Sequence, residues 1–378
     1  MVDLPVISLF SGAGGLDIAV HQAGAATGDS RDRGPLRVAV CVEWGEEEGD
    51  TLRANFDAPV LGGDIREVTT RKILRAAGLK KGEATLVIGG PPCTPFSKSG
   101  FWLDYKRESR DANASLLDEF ARVVEESRPE AFILENVQGL TYRTHEKQLT
   151  RLLKRLRAAG YNPMWQLLNA AAYGVPQLRK RVFIVGRRDG APFEFPEETH
   201  SGWTEHTRQI DLSKKPYVFS KEVLADLLPG EPEPEEIVRG TFADLAASVP
   251  PGQNYLWHTD RGGGEPVFRW RSRYWTFLLR IDPDRPASTL QSSPGPWVGP
   301  FHWENVLDER GHTRARRLRI PEVKRLMMFP DDYVIVGTRR AAQRQLGNAV
   351  PVGLGRVVIE ALLVQLGYTS AEPELNTA

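Results

Sequence analysis

The chain has 378 residues, with 41% hydrophobic and 26% charged, the length and balance of a water-soluble protein with one large and one smaller domain. No apolar run reaches the ~18 residues of a membrane helix, and the first ten residues lack the basic start and cleavage site of a signal peptide. Forty-nine basic residues cancel forty-nine acidic ones, so any nucleic-acid partner has to be argued from local clusters. Two cysteines, Cys41 and Cys93, exclude a disulfide framework and offer no zinc spacing, so no metal and a reduced, cytoplasmic setting are expected.

In chain order, residues 5–10 read as a strand, followed by Ser11-Gly12-Ala13-Gly14-Gly15 and a helical run from Leu16. Strand, glycine-rich turn and helix together make a cofactor or nucleotide site, because glycine lets backbone approach a ligand and the helix start offers free N–H groups. Residues 25–35 have the composition of an inserted loop. A second strand, residues 37–42, ends at Glu43-Trp44, a carboxylate at a strand tip suited to ribose hydroxyls and a ring suited to adenine. Val60-Leu61 then leads to Gly63-Asp64-Ile65. The apolar residues 86–88 form a buried strand that stops at Gly89-Gly90-Pro91-Pro92, immediately before Cys93 and Thr94-Pro95-Phe96-Ser97. This holds a thiol at the carboxyl end of a strand, the edge where open α/β sheets do their chemistry.

Residues 99–111 show no periodicity, and Asn113 is the expected cap of a helix with Leu116, Leu117, Phe120, Val123 and Val124 on one face. A strand over residues 131–134 runs into Glu135-Asn136-Val137, delivering a second functional group at a strand end. A helix bearing Leu149, Leu152, Leu153 and Leu156 stops at Gly160. Gln177-Leu178-Arg179-Lys180-Arg181 enters a strand over 182–185, with Arg179 and Arg181 on one side. From 189 to 283 the alternation of strands and helices is lost. Arg261, followed by three glycines, and the run Arg269-Trp270-Arg271-Ser272-Arg273-Tyr274-Trp275 mix basic, flexible and aromatic residues, which suits phosphate and base contacts. Packing of a small all-β core is the alternative use of these tryptophans. The acidic residues 231–236 would repel DNA. Near the end come Arg285-Pro286-Ala287-Ser288-Thr289-Leu290, a basic segment over 317–333, and Gln345-Leu346-Gly347-Asn348-Ala349-Val350-Pro351. A helix carrying Val357, Val358, Leu362 and Leu366 is expected to pack back on the first domain.

With these motifs in this order, the chain resembles the cytosine-5 DNA methyltransferases over nearly its whole length outside residues 190–280. The resemblance implies an α/β fold: a Rossmann-like class I methyltransferase domain over 1–188, a smaller target-recognition domain over 189–315, and a segment 316–378 that returns to complete the first. It implies S-adenosyl-L-methionine as cofactor, held by Phe10, Ser11, Gly12, Gly14, Gly15, Leu16, Glu43, Trp44, Asp64, Ile65, Pro92, Leu116, Asn348 and Ala349. Catalysis falls to Cys93, Glu135, Arg179 and Arg181. Double-stranded DNA is the implied partner, met by Ser97, Arg261, Arg269, Arg271 and Arg273; a restriction or defence companion and a monomeric state also follow. Four positions depart from the family's usual residues: Ser8 stands where Asp is usual, Thr94 for Gln, Ile320 for Thr and Lys324 for Ala.

The implied chemistry follows from the poor nucleophilicity of cytosine carbon 5. A Cys93 thiolate adding to carbon 6 enriches carbon 5, while Glu135 bonds ring nitrogen 3 and the exocyclic amine. The arginines hold the ring oxygen, a phosphate or Glu135 itself, and the base has to be flipped out of the duplex. Three rivals are transfer-RNA methylation by the same chemistry, a non-catalytic DNA-binding relative, and a Rossmann-type oxidoreductase, which explains only the first turn.

Overall fold

The computed structural model describes residues 3–25, 36–92, 107–203, 210–227 and 232–369, with backbone alone for 25 and 107–115. Alternating strands and helices open the chain: β1 (Leu4–Leu9), α1 (Gly15–Ala25), β2 (Leu36–Glu43), α2 (Glu46–Asn55), β3 (Val60–Gly62), α3 (Thr70–Ala77), β4 (Leu86–Gly89), α4 (Arg107–Ser127), β5 (Ala131–Val137), α5 (Glu146–Ala158), β6 (Asn162–Asn169), β7 (Gln177–Leu178) and β8 (Lys180–Arg187). Seven strands form one sheet in the order β3-β2-β1-β4-β5-β8-β6. The first five run parallel, and β8 lies antiparallel between β5 and β6.

The strand residues divide between two cores with period two, as a pleat dictates. Val6, Ile88 and Ile133 join α1 on one face, while Ile7, Val87 and Phe132 join α3, α4 and α5 on the other. With both faces covered, the parallel strands are buried along their length and mostly apolar, as in LPVISL of β1, where Ser8 is the polar exception. The strand order reverses between β1 and β4, and ligands bind outside the carboxyl ends at such a switch point.

Short elements follow: β9 (His200–Ser201), β10 (Lys215–Pro216), α6 (Ser220–Leu224), α7 (Ala243–Ser248), β11 (Ala287–Ser288), β12 (Phe301–Leu307) and β13 (Thr313–Arg317). The chain ends with α8 (Ile320–Leu326), α9 (Arg339–Asn348) and α10 (Val352–Gln365). α10 packs on α1, burying Val357, Val358 and Leu362 in the first core as expected. The stretch Arg339–Gln365 is long and apolar enough to cross a membrane by composition, but its apolar window is 72% buried within the fold.

Two expectations change. α4 begins at Arg107, before Asn113; residues 107–111 are charged and lack the apolar spacing that would announce a helix. The second core does not begin at residue 189. Phe193, Leu224, Ile281, Ala287 and Leu290 pack on the first core, whereas Val238, Val249, Tyr255, Phe268, Phe277, Phe301 and Ala315 form a separate cluster.

Candidate active site

A cavity of about 490 Å³ opens at the switch point, along the carboxyl ends of β1, β2, β4 and β5. On one side the turn after β1 supplies Phe10, Ser11, Gly12, Gly15 and Leu16. Gly12 takes φ +56° and donates its N–H to Glu43 Oε2 at 2.7 Å, while Glu43 Oε1 accepts from Gly45 N–H at 2.8 Å. The carboxylate at the tip of β2 thereby pins the turn. Burial raises its pKa, and the two amides pull the other way. Gly15 is needed for a close approach: a Cβ there would stand 2.3 Å from the Val350 carbonyl oxygen, so the C-terminal segment can lie directly against the turn.

Further along, Trp44 lines the mouth with 79% of its surface exposed. Ile65 and Leu116 add apolar wall, and Asp64 is gripped by the Arg66 guanidinium at 2.9 and 3.0 Å, which lowers its pKa. Asn348 and Ala349 close the cavity from the end of α9. Its acceptors, apolar walls and ready backbone suit a ligand with a nucleoside at one end and an amino acid at the other.

Beside this, β4 ends in Gly90, Pro91 and Pro92, all on the cavity wall. Asn136 Nδ2 donates to the Pro91 carbonyl at 3.0 Å, tying the proline turn to β5. Glu135 projects between them, buried, with Oε1 2.8 Å from Arg181 Nε. Burial raises the Glu135 pKa, while the Arg181 and Arg179 charges partly offset it. A carboxyl whose pKa is raised by burial, oriented by a cation and facing a cavity, donates a hydrogen bond when protonated and accepts when not.

The C-5 cytosine-specific DNA methylase family model matches residues 4–363. The chain belongs to this family. It is 62% identical to the type II methyltransferase M.SacI of Streptomyces achromogenes over 97% of this chain and 94% of the relative. It is also 43% identical to the type II methyltransferase M.AquIA of Picosynechococcus over 60% of this chain and 90% of the relative. The structure of the S. pombe Dnmt2 methyltransferase shares the fold, with a TM-score of 0.62–0.64 bracketed by its neighbours and 0.63 itself, at 17% identity over 96% of this chain and 99% of that one. The protein is therefore a DNA (cytosine-5-)-methyltransferase dependent on S-adenosyl-L-methionine.

Within this methylase, two expected site residues lie elsewhere. Arg179 is fully buried and does not line the cavity. Its Nη2 donates to the carbonyls of Gly347 at 2.7 Å and Ala349 at 2.9 Å, and Nη1 to Leu290 at 3.3 Å. It holds the C-terminal segment in place. Gly14 also points away: at φ +81°, a Cβ would meet the Tyr333 hydroxyl at 2.5 Å and Phe56 at 2.9 Å. Cys93 and Ser97, expected as nucleophile and DNA contact, lie outside the described residues.

Among the expected DNA-contacting arginines, Arg269 and Arg271 are exposed, Arg261 stacks over Trp270 at 4.9 Å, and Arg273 lies over Phe268 and Phe277 at 5.7 and 5.8 Å. Trp270, Tyr274 and Trp275 are exposed, so they do not pack a core. Ser8, the first departure from the family pattern, hydrogen bonds through Oγ to Ser11 Oγ at 2.8 Å. The sequence reading missed Asp17, a buried carboxylate on the cavity wall.

Proposed function

We propose that this methylase modifies one short double-stranded sequence as the modification component of a type II restriction–modification pair, with Cys93, Glu135 and Arg181 as its catalytic groups. The buried Glu135–Arg181 pair supports this reading, because it lines the same cavity as the glycine turn and Pro92. Cys93 follows Pro92 in sequence. Free thiols have a pKa of ~8.5, so the reaction starts from the minor thiolate fraction.

The thiolate forms a bond to carbon 6, and the electrons of the carbon 5–carbon 6 double bond move into the ring, leaving carbon 5 nucleophilic. Glu135 donates its proton toward ring nitrogen 3 and accepts from the exocyclic amine, which stabilises the charge that develops there. Arg181 fixes the Glu135 carboxyl. When bound, S-adenosyl-L-methionine supplies the electrophilic methyl group. A solvent base then takes the carbon 5 proton, and its bonding electrons re-form the carbon 5–carbon 6 double bond as the carbon 6–sulfur bond breaks. The sulfur leaves with its electron pair as thiolate, and nitrogen 3 returns its proton to Glu135. Phe10, Ser11, Gly12, Gly15, Leu16, Glu43, Trp44, Asp64, Ile65, Pro92, Leu116, Asn348 and Ala349 would hold the cofactor.

These groups cannot reach a stacked base, so the target cytosine swings out of the duplex. Residues 238–315, with their own core, would read the flanking sequence through exposed Arg269 and Arg271 and the neighbouring aromatics. All proposed catalytic and cofactor groups come from one chain, which suits a monomer acting on DNA in the cytoplasm.

The test is base-resolution mapping of 5-methylcytosine in DNA from a methylation-free host, comparing the native chain with Cys93→Ala. Methylation at one short motif that the variant loses is the expected result. Methylation spread over unrelated sequences would reject sequence specificity, and a native pattern from Cys93→Ala would reject the nucleophile.

A further inference from the structure

Glu48 stands in the first turn of α2 and lines the cofactor cavity with Glu43 and Trp44, its side chain 14% exposed. A glutamate three residues into a helix ordinarily accepts from the N–H of the residue before the helix. Here that N–H, of Gly45, donates to Glu43 Oε1 at 2.8 Å, so Glu48 is released from capping. Its Oε1 accepts from Arg344 Nε at 3.2 Å and Nη2 at 3.1 Å, while Oε2 has no hydrogen-bond partner among the described residues. The two carboxylates converge over Gly45, where a Cβ would meet Glu48 Oε2 at 2.1 Å and Glu43 Oε1 at 3.4 Å. Burial is the main cause of the raised Glu43 pKa, and the Glu48 charge adds to it. Arg344 reaches Glu47 and Glu48 from α9, supplies the counter-charge, and does not itself line the cavity. With that charge already balanced, the free oxygen suits a neutral donor better than a second cation.

We propose that Glu48 is a second acceptor for the ribose hydroxyls of S-adenosyl-L-methionine, sharing the diol with Glu43, and that Arg344 is the positioning residue that holds its free oxygen toward the cavity. The inference rests on the reading that this cavity holds that cofactor with its nucleoside at Glu43. Each Glu43 oxygen already accepts a backbone amide, so a further acceptor serves a sugar that offers two adjacent hydroxyls. A residue 296 positions later in the chain thereby sets how the N-terminal segment recognises the sugar.

The experiment is calorimetric binding of three ligands: S-adenosylhomocysteine, its 2′,3′-dideoxy analogue, and the analogue without the amino group. Glu48→Ala should weaken S-adenosylhomocysteine and the deaminated ligand alike, by about tenfold. The dideoxy ligand gives Glu48 nothing to accept and should stay within about twofold, which also shows that the variant keeps its cavity. Equal losses for all three would assign Glu48 to the fold, and an unaffected deaminated ligand would assign it to the amino group. Either result, or no loss at all, would overturn the proposal.

Arg344→Met should shrink the preference for S-adenosylhomocysteine over the dideoxy ligand by about threefold, since one partly exposed ion pair is lost. A merely structural role would weaken both ligands and leave that ratio alone, so an unchanged ratio would overturn the positioning role. The native chain gives a readout that does not depend on any variant's folding: it should prefer S-adenosylhomocysteine over the dideoxy ligand by about tenfold or more. Absence of that preference would overturn the shared diol while leaving the cavity assignment intact. Failure of the native chain to bind any of the three would overturn the cavity assignment and the proposal with it.

Discussion

In the seven-stranded sheet, buried backbone groups are satisfied by neighbouring strands, and the residues between them are mainly aliphatic and fully covered. Residues 238–315 bury their core with far less ladder. Phe242 packs edge-on to Phe277 at 5.4 Å and Trp297 at 4.9 Å, and Phe268 to Phe277 at 5.7 Å. Buried Arg280 donates to the carbonyls of Ala247 at 3.1 Å, Val249 at 2.9 Å and His302 at 3.2 Å. A ladder specifies every residue along it, so groups at strand ends, such as Glu43 and Glu135, are placed with little freedom. A core held by a few aromatics and one arginine leaves the loops between its anchors open to other sequences. Chemistry occupies the first kind of region, and the exposed Arg269–Trp275 segment occupies the second.

Five substitutions probe this contrast. Glu135→Gln should lower kcat about 10²–10⁴-fold with the melting temperature little changed, because only the catalytic proton is removed. In the native enzyme the raised Glu135 pKa means that the protonated form, and with it kcat, declines as pH rises through that value; the variant should lose that limb. A native-like pH profile in Glu135→Gln would assign the limb to another group.

Arg179→Ala strands the Gly347, Ala349 and Leu290 carbonyls in the interior, so it should cost about 3–5 kcal/mol of stability by denaturant titration. Arg181→Ala, two residues away, leaves one buried carboxyl that can take up a proton, so it should cost less stability than Arg179→Ala and lower kcat. Similar stability losses in the two would erase the distinction drawn between them.

Arg280→Met should cost about 2–4 kcal/mol, and hydrogen exchange should show the loosening in residues 238–315 while the sheet keeps its protection. Loss of sheet protection in step would mean that the two regions unfold as one.

The smallest effect concerns Asp17. A carboxyl whose folded pKa is raised, from an ordinary 3.8 to about 6, favours folding fully below the ordinary value and loses that contribution as pH rises through about 6. Ligand-free Asp17→Asn should therefore be more stable than native at neutral pH, on the order of 2 kcal/mol, with the gap closing under acid conditions. A gap that widens in acid would contradict the burial of a strained carboxyl.

Much of the catalytic face was legible because its signals are local: a glycine turn after an apolar strand, Glu43 at the next strand's tip, Glu135 at another. What stayed hidden depends on distant contacts. The two-residue spacing puts Arg179 and Arg181 on one side of an extended segment, yet the carbonyls that claim Arg179 belong to residues 168 and 170 positions later. Asp17 reads as an ordinary acidic residue in a first helical turn, where it complements the helix terminus, and only its burial against Ser8 and Cys41 marks it out. The packing of Phe193 and Leu224 on the first core was hidden because these residues sit in short, irregular pieces without periodicity.

The central claim is the covalent route through Cys93, and one measurement tests it most directly. A duplex carrying the mapped target with fluorine at carbon 5 of its cytosine is incubated with the enzyme and S-adenosyl-L-methionine. Fluorine cannot leave as a proton does, so the methylated adduct should persist as a denaturation-resistant protein–DNA complex, its DNA mapping by peptide mass to Cys93, and Cys93→Ala should form none. A stable complex in the variant, or native turnover with no trapped adduct, would contradict the account.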